Sequence, residues 1–165
     1  MVSMKNSVIF FLLLLCSVAS AQSTDTSLGM VSSFLVKSEY GKTVDVAALK
    51  GKVVFINFWA LTCAPCLAEM PPIGRLRDHF KDDTNFVVLP IDVDNDVPHS
   101  TKYMRDKQLG LTVYTVAGVV PKTLFRGMLP CTVVIDKNGR IVYFHEGGSD
   151  YDTKEFADMM EGLRK

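Results

Sequence analysis

Seven consecutive residues, Val53-Val54-Phe55-Ile56-Asn57-Phe58-Trp59, set the tightest limit on what this chain can fold into. The run is apolar except at Asn57, rich in β-branched and aromatic side chains, and bounded by a Lys50-Gly51-Lys52 turn. Such a segment suits a central strand covered on both faces. Phe86-Val87-Val88-Leu89-Pro90-Ile91 repeats the pattern, with Pro90 near its end. A third run, residues 132–136, passes through Lys137-Asn138-Gly139-Arg140 into residues 141–144. It reads as a hairpin whose Asn-Gly supplies the positive φ angles of a tight turn. Residues 33–36 form a further short strand candidate.

Helical periods separate these strands. Leu67, Met70, Ile73 (or Gly74), Arg77 and Phe80 recur at three- and four-residue steps. Pro71-Pro72 interrupts them and is expected to kink or restart the helix. Residues 99–109 form a second helix stopped by Gly110. Residues 153–163 form a third, with Phe156, Met159, Met160 and Leu163 on one face and Asp150 or Asp152 near its start. Strands alternating with helices predict one α/β domain over residues 30–165, a central mixed β-sheet flanked by helices.

The first 21 residues stand apart from that domain. Lys5 precedes the apolar run Val-Ile-Phe-Phe-Leu-Leu-Leu-Leu, and Ala19-Ser20-Ala21 ends it, the three parts of a secretory signal peptide. The apolar run is too short to cross ~30 Å of hydrocarbon as a helix. Cleavage before Gln22 is expected, followed by a flexible leader at 22–29. A lipid anchor through Cys16 is the minor alternative, disfavoured by the bulk of Leu15 before it. The full chain carries 18 basic and 18 acidic residues, and the processed one is net −1. That balance argues against a nucleic-acid partner, which needs a Lys/Arg excess to neutralise phosphates. Secretion, periplasmic or otherwise, leaves Cys63, Cys66 and Cys131 where disulfides persist, with no stable membrane span after cleavage.

Cys63-Ala64-Pro65-Cys66 falls between the central strand and the first long helix. Unpaired amides and the dipole at a helix N-terminus favour a thiolate there, lowering a cysteine pKa from about 8.5 to between roughly 3.5 and 7.5. Pro65 suits the first helical turn, where its missing N–H has no partner to lose. The two-residue spacing lets the second sulfur close a disulfide on the first. Cys63 is the expected exposed nucleophile and Cys66 the buried resolving thiol. A structural bridge across so short a loop restrains little chain entropy. A zinc half-site lacks two further ligands, leaving only Cys131 and the isolated His79, His99 and His145, so no metal is expected.

The segment Val53 to Pro71 resembles the active-site segment of TlpA/ResA-type thioredoxin-like proteins, and Leu129-Pro130-Cys131-Thr132-Val133-Val134-Ile135-Asp136-Lys137-Asn138-Gly139 resembles that family's cis-proline, strand and hairpin. The resemblance implies a thioredoxin fold and thiol-disulfide exchange on protein disulfides outside the cytoplasm, commonly as a reductant. A redox-inactive peptide-binding module, or an oxidase or isomerase using the same dithiol, are the alternatives. It implies a Cys63–Cys66 redox disulfide in place of any cofactor, protein disulfide or dithiol clients, and a membrane-linked or soluble thiol donor. Leu129, a cis Pro130 and Trp59 would form the substrate-binding surface, with an unpaired edge at Leu129 taking an extended client as an added strand.

Four positions depart from the family pattern or fall beside its site. Thr62 replaces the usual Trp before Cys63 and makes the lip smaller and more polar. Asn57 stands where thioredoxins proper carry a buried acid and cannot shuttle a proton. Glu69, one turn after Cys66, is the nearest replacement, although a solvated helix-face Glu is the expected state. Cys131 is either a third exchanging thiol or, the favoured reading, a small buried hydrophobe. Asp92-Val93-Asp94-Asn95-Asp96 imitates a calcium loop, but Val97 stands where Gly is required and Tyr103 where the bidentate Glu belongs, so a helix-capping loop is expected. A peroxidase site is rejected because Ala60 stands where a Thr is needed, three residues before Cys63.

Overall fold

The structure, a computed structural model, describes residues 28–165 of the chain. The expected signal peptide at 1–21, with Cys16, and residues 22–27 of the expected leader lie outside the described residues. In chain order the elements are β1 (Leu35–Ser38), β2 (Thr43–Asp45), a 3₁₀ turn (Val46–Leu49), β3 (Val53–Trp59), α1 (Ala64–His79), β4 (Phe86–Asp92), α2 (Val97–Asp106), β5 (Tyr114–Val116), β6 (Cys131–Ile135), β7 (Ile141–Glu146) and α3 (Lys154–Arg164). They build one mixed sheet in the order β2-β1-β5-β4-β3-β6-β7. The β3–β4 and β4–β5 pairs are parallel and the others antiparallel.

The continuous apolar run is β3, near the middle of the sheet, and all seven of its residues are buried. Strand alternation divides them between two layers. Phe55 and Trp59 enter a layer with Cys66, Met70 and Ile73 of α1, Met104 of α2, and Phe156 and Met160 of α3. Val54, Ile56 and Phe58 enter the opposite layer with Phe34, Val46, Leu124 and Cys131. Phe55 meets Tyr151 and Phe156 edge to face at 5.2 and 6.0 Å. Each such fully buried side chain contributes about 1.5–3 kcal/mol through removal of apolar surface from water.

Several boundaries differ from expectation. The first strand lies at 35–38 rather than 33–36, because its register is set by β2 on one side and β5 on the other (Lys37 pairs with Thr43 and with Thr115). The second helix begins at Val97 with Pro98 in its first turn and ends at Asp106, before Gly110, where Gln108 takes a left-handed φ of 54°. The third runs from Lys154 to Arg164, with Asp150 and Asp152 just before it and Thr153 as its cap, whose hydroxyl accepts from the Phe156 N–H at 3.2 Å. The Asp92 loop folds around its own carboxylate, which accepts from the Asp94 and Asp96 amides and the Ser100 hydroxyl at 2.8–2.9 Å and does not cap the second helix.

Pro71 and Pro72 do not restart the first helix, which continues as one element from Ala64 to His79. Proline at 71 removes the amide that would bond the carbonyl four residues back, at Leu67. The Tyr103 hydroxyl of α2 donates to that Leu67 carbonyl at 3.2 Å, so a side chain supplies what the backbone lacks. At the other end of the sheet, Leu28 and Gly29, expected to belong to a flexible leader, exchange hydrogen bonds with Ile141 at 2.7 and 2.8 Å. The β6–β7 hairpin turns through Asp136 to Arg140, with Gly139 at a φ of +82° that an L side chain rarely adopts.

Candidate active site

The site assembles where β3, α1, β6 and the loop after β7 converge. Cys63 is the N-cap of α1 and Pro65 falls in its first turn. The Cys63 Sγ accepts a hydrogen bond from the Cys66 amide at 3.3 Å. The two sulfurs are bonded, with a Cα–Cα separation of 5.2 Å. Cys63 is half-buried and Cys66 is fully buried. One sulfur is therefore open to an incoming disulfide while the other is reached only through the first. In the reduced protein the amide donor and the helix dipole both act on Cys63, and both favour its thiolate.

Glu69 lies one helical turn beyond Cys66, and here the structure corrects the expectation of a solvated helix-face side chain: Glu69 is 2% exposed. The helix turns it inward, toward β3. Its Oε2 accepts from Nδ2 of Asn57 at 3.1 Å and its Oε1 from the Ser149 amide at 2.5 Å. Burial pushes the Glu69 carboxyl above its ordinary value, opposed by those two hydrogen bonds and by the charge of His145. Asn57, itself fully buried, also donates from Nδ2 to Thr132 Oγ1 at 2.9 Å. The antiparallel register places Asn57 opposite Thr132, and Thr132 opposite His145.

Pro130 is cis, as the resemblance implied, and it is buried, with Leu129 half-buried beside it. The β6 ladder begins at Cys131, so Leu129 stands outside it. Thr62 and Pro65 are exposed at the lip. A groove of about 460 Å³ opens next to the cysteines, between Pro65, Ala68, Glu69 and Pro72 of α1 and Gly148, Ser149 and Asp150 after β7. Glu69 is thus buried yet borders open space.

Trp59 departs from its expected place at the substrate surface, whereas Cys131 packs as the favoured reading has it. Trp59 cannot touch a substrate: it is 0% exposed and packs in the helix-side core, 6.0 Å from the Tyr103 ring. Its place at an odd position of β3, in phase with Phe55, sends it inward under α1. Cys131 pairs with Phe58 and belongs to the core layer opposite the one that holds Cys66. It is 0% exposed, its thiol donates to the Leu124 carbonyl at 3.5 Å, and burial pushes its pKa up to about 12. It packs as a small apolar residue, not as a third exchanging thiol. Thr132 and Ser149 escaped the sequence reading because one is reached by sheet register and the other by a backbone amide. Neither leaves a mark in residue type.

Residues 29–144 match the AhpC/TSA family model. ResA, a thiol-disulfide oxidoreductase of Halalkalibacterium halodurans, is 30% identical over 142 residues, 78% of this chain and 74% of the relative. ResA of Bacillus cereus is 32% identical over 111 residues, 67% of this chain and 64% of the relative, just under two thirds of its length. Among solved structures, a thioredoxin-family thiol:disulfide interchange protein of Chlorobium tepidum superposes with a TM-score of 0.65 at 23% identity, over 83% of this chain and 97% of that one. An exposed lipoprotein thioredoxin of Streptococcus pneumoniae superposes with a TM-score of 0.64 at 25% identity, over 80% and 100%. With a thioredoxin-like sheet, a closed Cys63–Cys66 pair at a helix N-terminus and these relatives, the chain belongs to the AhpC/TSA family, on its branch of ResA-type thiol-disulfide oxidoreductases.

Proposed function

We propose that the protein reduces disulfides of client proteins outside the cytoplasm, using the Cys63–Cys66 dithiol as its redox group. The observation that carries this reading is the asymmetry of the pair: Cys63 half-buried at the helix cap, Cys66 fully buried one turn from a buried carboxylate. The signal-peptide pattern at 1–21 supports the location, and the ResA relatives support the chemistry.

The reaction balances as follows. The Cys63 thiolate attacks one sulfur of the client disulfide, a mixed disulfide forms, and the first client thiolate leaves. Cys66 then loses its proton and attacks the Cys63 sulfur, releasing the second client thiolate. Two electrons pass from the dithiol to the client, and the enzyme ends as the disulfide. Glu69 would take the Cys66 proton: Asn57 cannot, and a carboxyl above its ordinary value is a better base than a solvated one. The 460 Å³ groove that Glu69 borders is its route to solvent. An extended client segment would lie against Leu129 and Pro130, bonding the Leu129 backbone as an added strand. A thiol electron donor returns the enzyme to the dithiol.

The test is dithiol-dependent reduction of a model protein disulfide. Activity lost in Cys63→Ser, and a mixed disulfide trapped on Cys63 in Cys66→Ser, support the reading. Client-peptide binding that survives Cys63→Ser with no reductase activity in the wild type would instead make the protein a binding module.

A further inference from the structure

Asn57 holds a position in this site that its lack of a titratable proton does not explain. It is fully buried, and its side-chain Nδ2 spends both protons, one on Glu69 Oε2 and one on Thr132 Oγ1. Its Oδ1 is buried with no partner among the described residues. The amide orientation is therefore set at one end only, by two groups that can each reverse their hydrogen-bonding sense. A threonine hydroxyl donates as readily as it accepts, and a carboxylate that gains a proton becomes a donor. No partner among the described residues pins the other end, and turning the amide over moves the Nδ2 protons there, so the turn has to be driven by the pairing that Oδ1 gains with the protonated Glu69.

We propose that the Asn57 side chain is a reversible amide switch that reads the protonation state of Glu69. With Glu69 ionised, Nδ2 faces the carboxylate and Thr132, as in the structure. When Glu69 accepts the Cys66 proton, the amide turns over. Its Oδ1 then accepts from the Glu69 O–H and from the Thr132 O–H. The same two contacts are kept with every donor and acceptor exchanged. Neither state leaves Glu69 facing a like group, so the proton moves onto the carboxylate without loss of its buried partner. An Asp at 57 would set two carboxyls against each other and raise the affinity of the pair for a shared proton. A Leu would leave Glu69 with only the Ser149 amide. Asn57 is on this view a positioning residue, acting through Glu69. The inference rests on the reading above, in which Glu69 receives the Cys66 proton.

In the oxidised protein other titratable groups lie around Glu69: His145 and Tyr143 from β7, Tyr151 before α3 and, from the opposite core layer, Cys131 of β6. A titration has to separate them. The decisive measurement is NMR of the oxidised wild-type protein, following the Asn57 side-chain NH₂, the Glu69 carboxyl carbon and the His145 ring together as pH is varied. The expected result is that Asn57 NH₂ contacts to Thr132 are present while Glu69 is ionised and disappear at the Glu69 midpoint, not at that of His145. In Glu69→Gln, whose amide mimics the protonated acid, those contacts should be missing at every pH. Contacts that persist through the Glu69 titration, or that persist in Glu69→Gln, overturn the switch.

A kinetic arm separates this failure from failure of the underlying reading. Glu69→Gln should move the pH profile of mixed-disulfide resolution upward, and Asn57→Leu should do the same, slowing resolution at neutral pH by about tenfold or more. A profile unmoved by Glu69→Gln sinks the proton-acceptor role, and the switch with it. A profile moved by Glu69→Gln but unmoved by Asn57→Leu sinks the switch alone. Should Asn57→Leu fail to fold, the wild-type titration still decides.

Discussion

Glu69 is an ionisable side chain held at 2% exposure by two donors, and the consequence is a stability that depends on pH. Its folded pKa is raised above the unfolded value, with desolvation the largest cause. A raised carboxyl binds its proton more tightly in the folded state. Its contribution is therefore full below about pH 4.5 and is lost as pH rises through the folded value. Glu69→Gln is expected to remove that slope and to stabilise the oxidised protein at neutral pH by on the order of 1 kcal/mol, measured by urea unfolding at several pH values. Cys131 is the contrasting case. With its thiol pushed up to about 12 and no exposed surface, it should resist alkylation in the reduced native protein at mildly alkaline pH, while Cys63 reacts. Peptide mapping after iodoacetamide treatment checks this, and labelling of native Cys131 at the rate of Cys63 contradicts it.

The helix that carries the cysteines passes through Pro71-Pro72 because a tyrosine on another helix completes it. Tyr103→Phe leaves the Leu67 carbonyl without its donor and should cost about 1 kcal/mol in unfolding free energy. The cost should largely vanish in a Pro71→Ala background, where the backbone amide returns. A double-mutant cycle in urea reads the difference directly. That compensation could not be seen in the chain, since Leu67 and Tyr103 lie 36 residues apart. Strands β2 and β5 were equally illegible: at three residues each they are too short to show a period, and β5 is set by pairing with β1 some 78 residues away. By contrast β3, β4 and the β6–β7 hairpin could be read from continuous apolar runs and an Asn-Gly turn, because burial on both faces leaves an unbroken apolar signature.

At the scale of the molecule, the thioredoxin fold and the cysteine pair were legible because both write themselves in residue type and local spacing. The environment of the pair was not. Whether Glu69 points to water or to Asn57, and which core layer receives Trp59 and Cys131, depend on helix phase and strand register summed over the whole sheet. The Cys63–Cys66 site sits on rigid supports: a central strand, the first turn of a helix and the residues before β6. Exchange at such a site runs toward client reduction when its dithiol is the more strongly reducing partner. Thioredoxin-fold dithiols span about −270 to −120 mV. Equilibrating the protein with defined thiol-disulfide buffers and counting oxidised Cys63–Cys66 gives its potential. A reductant is expected near the −270 mV end of that range, and a value near −120 mV would contradict it and make the same dithiol an oxidant.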